Sequence, residues 1–364
     1  MNKDLIIFAP FIEKGGIEKN IFILTNYFLN NLNKVSLITC DKNIGKKFKK
    51  NLKIISLNKK LLITNNRLFK NLSCLVLLII TILSLNRKCV IFSFQSNLYV
   101  TLIAKLLGVR NIIRVAVYGW MFSSIKRIIF KLILPLSTRI IVNSKEMKRL
   151  LKKKLKVESE YIYNPLSTKD LDNSKNTKKK FFKDQKNLKI LFLGRLVDQK
   201  DPFTFLKSLK LISNRINYEA LIVGSGNLKD KITKYINENN LKLKVKLITF
   251  KANPSQYLNQ CDLFILTSKY EGLPNVLLEA QYLKKYIIST NCKTGPKEIL
   301  KNGKLGDLIN IGNYKKLSHN ILKYNANRKK LSIRNKINDA YKETKRFNYK
   351  INCKKYLKLI KKYL

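Results

Sequence analysis

The most constraining feature of this chain is a rhythm, in which short apolar runs of strand length alternate with helical stretches, stop once, and start again. In the first half, 5–9, 35–39, 90–94, 111–117 and 139–142 read as strands, and 17–32, 96–107 and 122–134 as helices. In the second half, the strands fall at 188–193, 218–223, 245–250, 263–267 and 286–290, with helices at 201–214, 227–239, 254–260 and 275–283 between them. Strands that alternate with helices form a parallel sheet covered on both faces. The expectation is therefore two doubly wound α/β domains in series.

Between 167 and 185 the rhythm gives way to Ser-Thr-Lys-Asp-Leu-Asp-Asn-Ser-Lys-Asn-Thr-Lys-Lys-Lys and similar residues, too polar to bury much apolar area. This predicts an N-terminal domain at 1–166, a linker at 167–186 and a second domain at 187–340. The length of 364 residues suits two such domains, and 45% hydrophobic content suits folded ones.

Composition narrows the partners. Lys and Arg number 74 against 22 Asp and Glu, a formal net charge of +52. That excess points to nucleic acid, anionic lipid or phosphorylated substrates, or reflects a compositional bias toward Lys, Asn and Ile that runs through the whole chain. No zinc-finger spacing or ribonucleoprotein motif favours nucleic acid. The six cysteines are scattered without a CxxC pair, so neither a zinc site nor a disulfide framework is expected, and a reducing cytoplasm fits. Met1-Asn-Lys-Asp runs directly into the first strand, which predicts a protein that is not exported. The apolar stretch 72–85, about 14 residues, falls short of the ~20 needed to span a bilayer and reads as a buried or interfacial helix.

Ligands of doubly wound sheets bind at the carboxyl ends of strands, and three loops there stand out. In the first, Gly194-Arg195 follows a strand, and Lys200 precedes a helix with Pro202 in its first turn. Two cations beside a helix N-terminus suit a diphosphate, although on charge alone they are also two of 74 that solvate a surface. In the second, Gly224-Ser-Gly226 ends a strand but lacks the third glycine of a dinucleotide fingerprint, so it reads as a turn lining a site and not as an NAD site. In the third, Glu271-Gly-Leu-Pro-Asn-Val-Leu-Leu-Glu279 places one carboxylate on a loop and another on the following helix, where they can address different parts of one extended ligand. Free N–H groups at that helix start can hold a phosphate between them. In a chain this poor in acids, the pair is unlike ordinary surface decoration.

This third loop, with Gly194-Arg195 and Lys200 before it and Gly295-Pro296-Lys-Glu298-Ile299 after it, resembles the retaining family 4 glycosyltransferases (glycosyl transferases group 1). Phe11-Ile-Glu-Lys-Gly15-Gly16 resembles the family's glycine-rich first loop, and Asn143-Ser144 and Tyr163-Asn164-Pro165 also fit. The resemblance implies the GT-B fold, two Rossmann-like domains facing across a cleft, with an acceptor-side first domain, a nucleotide-sugar-binding second domain and a C-terminal helix at 341–364 packing back on the first. It implies catalytic roles for Glu271 on the donor sugar and for Arg195 and Lys200 on the diphosphate. Gly15, Gly16, Gly194, Gly224, Gly272, Leu273, Pro274, Asn275, Val276 and Glu279 would bind substrate, Glu279 through the ribose hydroxyls.

By the same resemblance the reaction is metal-independent, with Arg195, Lys200 and the helix start at Asn275 stabilising the departing diphosphate, and uses no cofactor beyond the nucleotide sugar. The departing phosphate assists deprotonation of the attacking hydroxyl, so no dedicated base is obligatory. The histidine that many relatives carry after a mid-N-domain strand is missing. That segment reads Ile113-Arg114-Val-Ala-Val-Tyr118-Gly119-Trp120, where Arg114 and Tyr118 are candidates to line the acceptor side or to serve structure. The lone His319 lies far off in a polar helical stretch and reads as a surface residue.

The expected activity is transfer of a hexose or N-acetylhexosamine, from a UDP-linked donor, to a glycan or lipid-linked glycan in bacterial surface polysaccharide or lipopolysaccharide synthesis. GDP-mannose-dependent mannosyl transfer, a sugar-nucleotide epimerase of the same fold and a basic nucleic-acid-binding protein are the alternatives. The stretches 125–134 and 145–156 mix apolar and basic residues at helical spacing. They suit either packing on the sheet or attraction to an anionic inner leaflet, about 1 kcal/mol per nearby cation. The expected location is the cytoplasm, with a peripheral position on the inner face of the membrane as a hypothesis.

Overall fold

The computed structural model describes residues 3–12, 15–41, 48, 52–57, 66–117, 119, 123–177, 179–184, 186–249 and 254–364. The chain divides into two compact units, one of Met1–Pro165 with Tyr349–Leu364 and one of Leu166–Asn348.

The first unit runs β1 (Asp4–Phe8), α1 (Gly16–Leu29), β2 (Val35–Ile38), β3 (Lys53–Ile55), α2 (Arg67–Ser84), β4 (Cys89–Ser93), α3 (Asn97–Leu106), β5 (Arg110–Val115), α4 (Ser124–Ile133), β6 (Arg139–Val142), α5 (Lys145–Leu155) and β7 (Glu160–Tyr161). Its strands pair in parallel in the order β3-β2-β1-β4-β5-β6-β7. Alternate side chains of a strand face opposite sides, so each strand feeds two cores. Leu5, Ile7 and Phe92 pack with Ile21, Leu24 and Phe28 of α1. Ile6, Phe8 and Ile91 pack with Leu78 and Ile82 of α2 and with Val100 and Ala104 of α3. Short polar caps set the helix starts: Asn66 Oδ1 accepts from Leu68 N (2.9 Å) and Ser144 Oγ from Met147 N (3.1 Å).

The second unit comprises α6 (Lys169–Asn173), β8 (Leu188–Leu193), α7 (Pro202–Ile212), β9 (Tyr218–Val223), α8 (Lys229–Glu238), β10 (Val245–Ile248), α9 (Ser255–Gln260), β11 (Leu263–Leu266), α10 (Asn275–Tyr282), β12 (Tyr286–Thr290), α11 (Pro296–Ile299), β13 (Asp307–Ile309), α12 (Tyr314–Asn327) and α13 (Leu331–Glu343). Its sheet is again parallel, in the order β10-β9-β8-β11-β12-β13. The last helix, α14 (Tyr349–Lys361), belongs to the first unit, where Cys353, Tyr356, Leu357 and Ile360 join the core that holds Phe28 and Phe92.

Several boundaries depart from the sequence reading. The segment 167–186 is no bare linker: it carries α6 and buries Leu171 and Phe182 in the second unit, because two well-spaced apolar residues suffice to anchor a polar stretch. The second unit ends at Asn348, not at 340, since the helical pattern breaks at 344–347, where Phe347 is buried. The apolar run at 72–85 is part of the 18-residue α2, which its polar first turn, Arg67 and Lys70, lengthens. By length and composition alone α2 is apolar enough to cross a membrane, yet Cys74, Leu78 and Ile82 hold it to the sheet.

Candidate switch-point site

In each unit the order of strands reverses once, and at such a switch point the loops on either side part to leave a crevice at the carboxyl ends of the strands. In the second unit the reversal lies between β8 and β11. The loop after β8 carries Gly194, Arg195 and Lys200; the loop after β11 carries Ser268 through Pro274 and leads into α10.

These two loops are joined by charge. Lys200 Nζ donates to Glu271 Oε1, with side-chain exposures of only 15% and 8%. Backbone bonds hold both in place: Thr267 Oγ1 donates to the carbonyls of Lys200 (3.0 Å) and Asp201 (2.8 Å), and Gln199 Nε2 donates to the carbonyl of Tyr270 (3.0 Å). Thr294 Oγ1 donates to the Glu271 carbonyl, tying the loop after β12 to the same place. Asp201 caps α7 by accepting from Thr204 N (3.2 Å) and Thr204 Oγ1 (2.6 Å), which fixes the turn that follows Lys200.

Two glycines are required by close approach. A Cβ on Gly224 would lie 1.9 Å from the carbonyl oxygen of Gly194, so the loops after β8 and β9 touch backbone to backbone. Gly295 has φ +89°, and a Cβ there would lie 2.2 Å from the Gly272 carbonyl oxygen. Gly194 lies under the Lys200 stem, with ordinary contacts near 3.7 Å.

The remaining candidates of this unit are placed differently. Leu273 and Pro274 are buried, Pro274 is the residue before α10, and Asn275 and Val276 begin the helix half-buried. Glu279 is also buried, at 5% exposure, one helical turn further on. Arg195 is exposed and its Nη2 donates to Gln199 Oε1 (3.0 Å). The connectors Gln199, Thr267 and Thr294 escaped the sequence reading. For Thr267 and Thr294 the one signal is a threonine in the loop that follows an apolar strand, and Gln199 carries none.

In the first unit the reversal lies between β1 and β4. Phe11 N donates to Gln95 Oε1 (2.9 Å) and Gln95 Nε2 donates to the Phe11 carbonyl (2.7 Å), joining the two flanking loops. Gly15 and Gly16, at the start of α1, are exposed; Glu18 Oε2 accepts from Gly15 N (3.2 Å), and among the described residues nothing lies within 4 Å of a Cβ built on Gly15. Arg114 does not line an open surface: it is 1% exposed, donating through Nη2 to Asn164 Oδ1 (2.5 Å) and through Nε to the Tyr356 hydroxyl (3.2 Å), over the Phe94 ring. A strand of otherwise apolar neighbours turns it inward. Tyr118 lies outside the described residues, and His319 is exposed on α12. Among the described residues, no three His, Cys, Asp or Glu side chains group as a metal site would need.

Two parallel Rossmann-like units, each with such a switch point, are the architecture of the GT-B fold. Residues 173–344 match the family described as glycosyl transferases group 1. Over 308 residues the chain is 31% identical to an uncharacterized glycosyltransferase of Methanocaldococcus jannaschii, covering 82% of this chain and 71% of that protein. The chain belongs to the glycosyl transferases group 1 family. It is 29% identical over 196 residues to a Campylobacter jejuni N-acetylgalactosaminyltransferase whose name specifies a diphospho-undecaprenol-linked acceptor, covering 52% of each chain. Among solved structures, the Anabaena protein HepE in complex with UDP and glucose superimposes with a TM-score of 0.79 at 14% identity, covering 99% of this chain and 100% of that one. Sucrose-phosphate synthase from Thermosynechococcus elongatus gives 0.81 at 15% identity, covering 99% and 98%.

Proposed function

We propose that this glycosyltransferase moves a hexose or N-acetylhexosamine, with retention of anomeric configuration, from a UDP-linked donor to a glycan or lipid-linked glycan acceptor in surface polysaccharide or lipopolysaccharide synthesis. The observation that carries the reading is the shielded Lys200–Glu271 pair at the switch point of the second unit, beside the start of α10. Relatives support the choice of substrate: the Campylobacter enzyme and an Escherichia coli galactosyltransferase, 30% identical over 227 residues, are both named for diphospho-undecaprenol acceptors, and the latter for a UDP-linked donor.

In this reading the donor diphosphate takes the Lys200 ammonium from Glu271 and rests against the start of α10, where the helix dipole favours an anion. Negative charge that grows on the departing diphosphate is stabilised by Lys200, by the helix start and by Arg195 once it leaves Gln199, without a metal ion or cofactor. Glu271, released from Lys200, holds the donor sugar, and Glu279 holds the ribose hydroxyls. Gly194, Gly224, Gly272, Leu273, Pro274, Asn275 and Val276 shape the wall. The departing phosphate accepts the proton of the attacking hydroxyl on the same face. Gly15 and Gly16, both exposed at the start of α1, serve the acceptor or the phosphate.

The test is a panel of UDP- and GDP-sugars scored by thermal shift and by transfer, with Glu271→Ala and Arg195→Ala alongside. A UDP-sugar that raises the melting temperature and is turned over by the wild type but not by Glu271→Ala supports the reading. A GDP-sugar as the sole donor, or no donor at all, overturns it.

A further inference from the structure

Outside the switch points, the largest unexplained feature is the outward surface of α2, α3 and α4 in the first unit, where α3 packs against both of its neighbours. On α2, Leu72, Val76, Ile80 and Leu83 form an exposed stripe opposite the residues that hold the helix to the sheet, and they are 49–61% exposed. On α3, Leu102 and Leu106 continue it, Leu106 at 84% exposure. On α4 no residue is buried, and Ile125, Ile128 and Leu132 are 60–72% exposed. Side chains spaced by three or four residues along three neighbouring helices make a broad apolar face, which a water-soluble surface rarely leaves bare.

The charged side chains that α2, α3 and α4 themselves carry are all basic. Between Asp41 and Glu146 the sequence has no acidic residue, while Lys105 on α3 and Lys126, Arg127 and Lys131 on α4 stand exposed among the apolar side chains. The neighbouring α5 buries Met147, Leu151 and Leu155 in the core and presents Arg149, Lys153 and Lys154 to solvent, with Glu146 in its first turn and Lys152 paired with Glu158 (2.8 Å). A second copy of the same face would bring two acid-free basic surfaces together, which like-charge repulsion opposes. Nor does α2 leave the unit to span a bilayer, because Leu78 and Ile82 share a core with Phe8 and Ile91. Apolar stripes interleaved with cations suit a membrane surface whose acyl boundary takes the first and whose anionic headgroups take the second.

We propose that the α2–α3–α4 face docks the first unit on an anionic bilayer surface, with its apolar stripes inserted at the headgroup boundary. This goes beyond the donor chemistry and does not depend on it.

Any chain with a net charge of +52 adheres to anionic vesicles at low salt, so the test separates insertion from attraction. The probe is flotation with phosphatidylcholine vesicles containing about one third phosphatidylglycerol, at about 0.5 M salt, where purely electrostatic binding is screened. Ile80→Glu/Ile128→Glu is compared with Leu243→Glu/Leu331→Glu, which makes the same charge change at exposed sites of the second unit. The wild type and the second variant should float, and the first should lose roughly ten-fold or more. Equal flotation of both variants, or none by the wild type, overturns the proposal. A dimer seen by ultracentrifugation without lipid, and abolished only by Ile80→Glu/Ile128→Glu, also overturns it by assigning the face to a second copy. UDP-induced thermal shifts measured on the same samples report on the donor site separately, and circular dichroism confirms that each variant is folded.

Discussion

Lys200 and Glu271, 71 residues apart in sequence, form an ion pair that spans the point where the strand order of the second unit reverses, both side chains largely shielded from water. A shielded pair of this kind is held by mutual attraction that offsets the loss of hydration, so removing one partner leaves the other charge in need of a new one. In a donor site, that new partner is the diphosphate.

The two substitutions should therefore behave oppositely toward UDP. Glu271→Ala frees the ammonium, so UDP affinity measured by calorimetry should stay the same or rise, while turnover falls by roughly 100-fold or more. Lys200→Ala should weaken UDP binding and turnover together. Equal loss of UDP affinity in both variants would count against the exchange of partners.

The glycines separate architecture from ligand approach. Gly224→Ala forces a Cβ into the Gly194 carbonyl and should destabilise the protein by about 3 kcal/mol in denaturant unfolding. Gly15→Ala meets nothing within 4 Å among the described residues and should cost no more than about 1 kcal/mol, so a drop in its activity reads out a ligand and not the fold.

Buried Arg114 depends on a residue from the far end of the chain. Tyr356→Phe removes the hydroxyl that accepts from Arg114 Nε and itself donates to the Ile162 carbonyl (3.2 Å), and should lower stability by about 2 kcal/mol. Arg114→Met with Tyr356→Phe should cost less than the sum of the two single changes, because no unpaired charge is left behind. Additive costs would contradict the pairing.

The thiols should label unequally. Cys40 Sγ and Cys74 Sγ are 3.2 Å apart, and the hydrogen bond from Cys74, helped by Lys70, holds the Cys40 thiol below the usual range. The same bond and burial push Cys74 up, and burial alone pushes Cys353 up to about 12. Cys40 is half-exposed and the other five are buried. A thiolate is the reactive form, so iodoacetamide near neutral pH should modify Cys40 first, and mass spectrometry of the native protein checks it.

How much of this was legible in the sequence follows from how local the signal is. The period of strands such as 188–193 and 218–223 sets the two parallel sheets, and the glycine and helix-start chemistry after β8 and β11 points to one end of the second. The short β3, Lys53–Ile55, and β7, Glu160–Tyr161, are too brief for any period to mark them; their edge pairing supplies what the residues do not. The partners of Arg114 lie 50 and 242 residues away, and nothing near Ile113 announces them. Arg195 differs again, since only the geometry of the turn lets Gln199, four residues on, hold it.

The most direct measurement of the central claim is a crystal structure of this chain with UDP. The account predicts the diphosphate within hydrogen-bond distance of Lys200 Nζ and of the first N–H groups of α10, with the Lys200–Glu271 pair opened. UDP bound elsewhere, or beside an ion pair that stays closed, would contradict it.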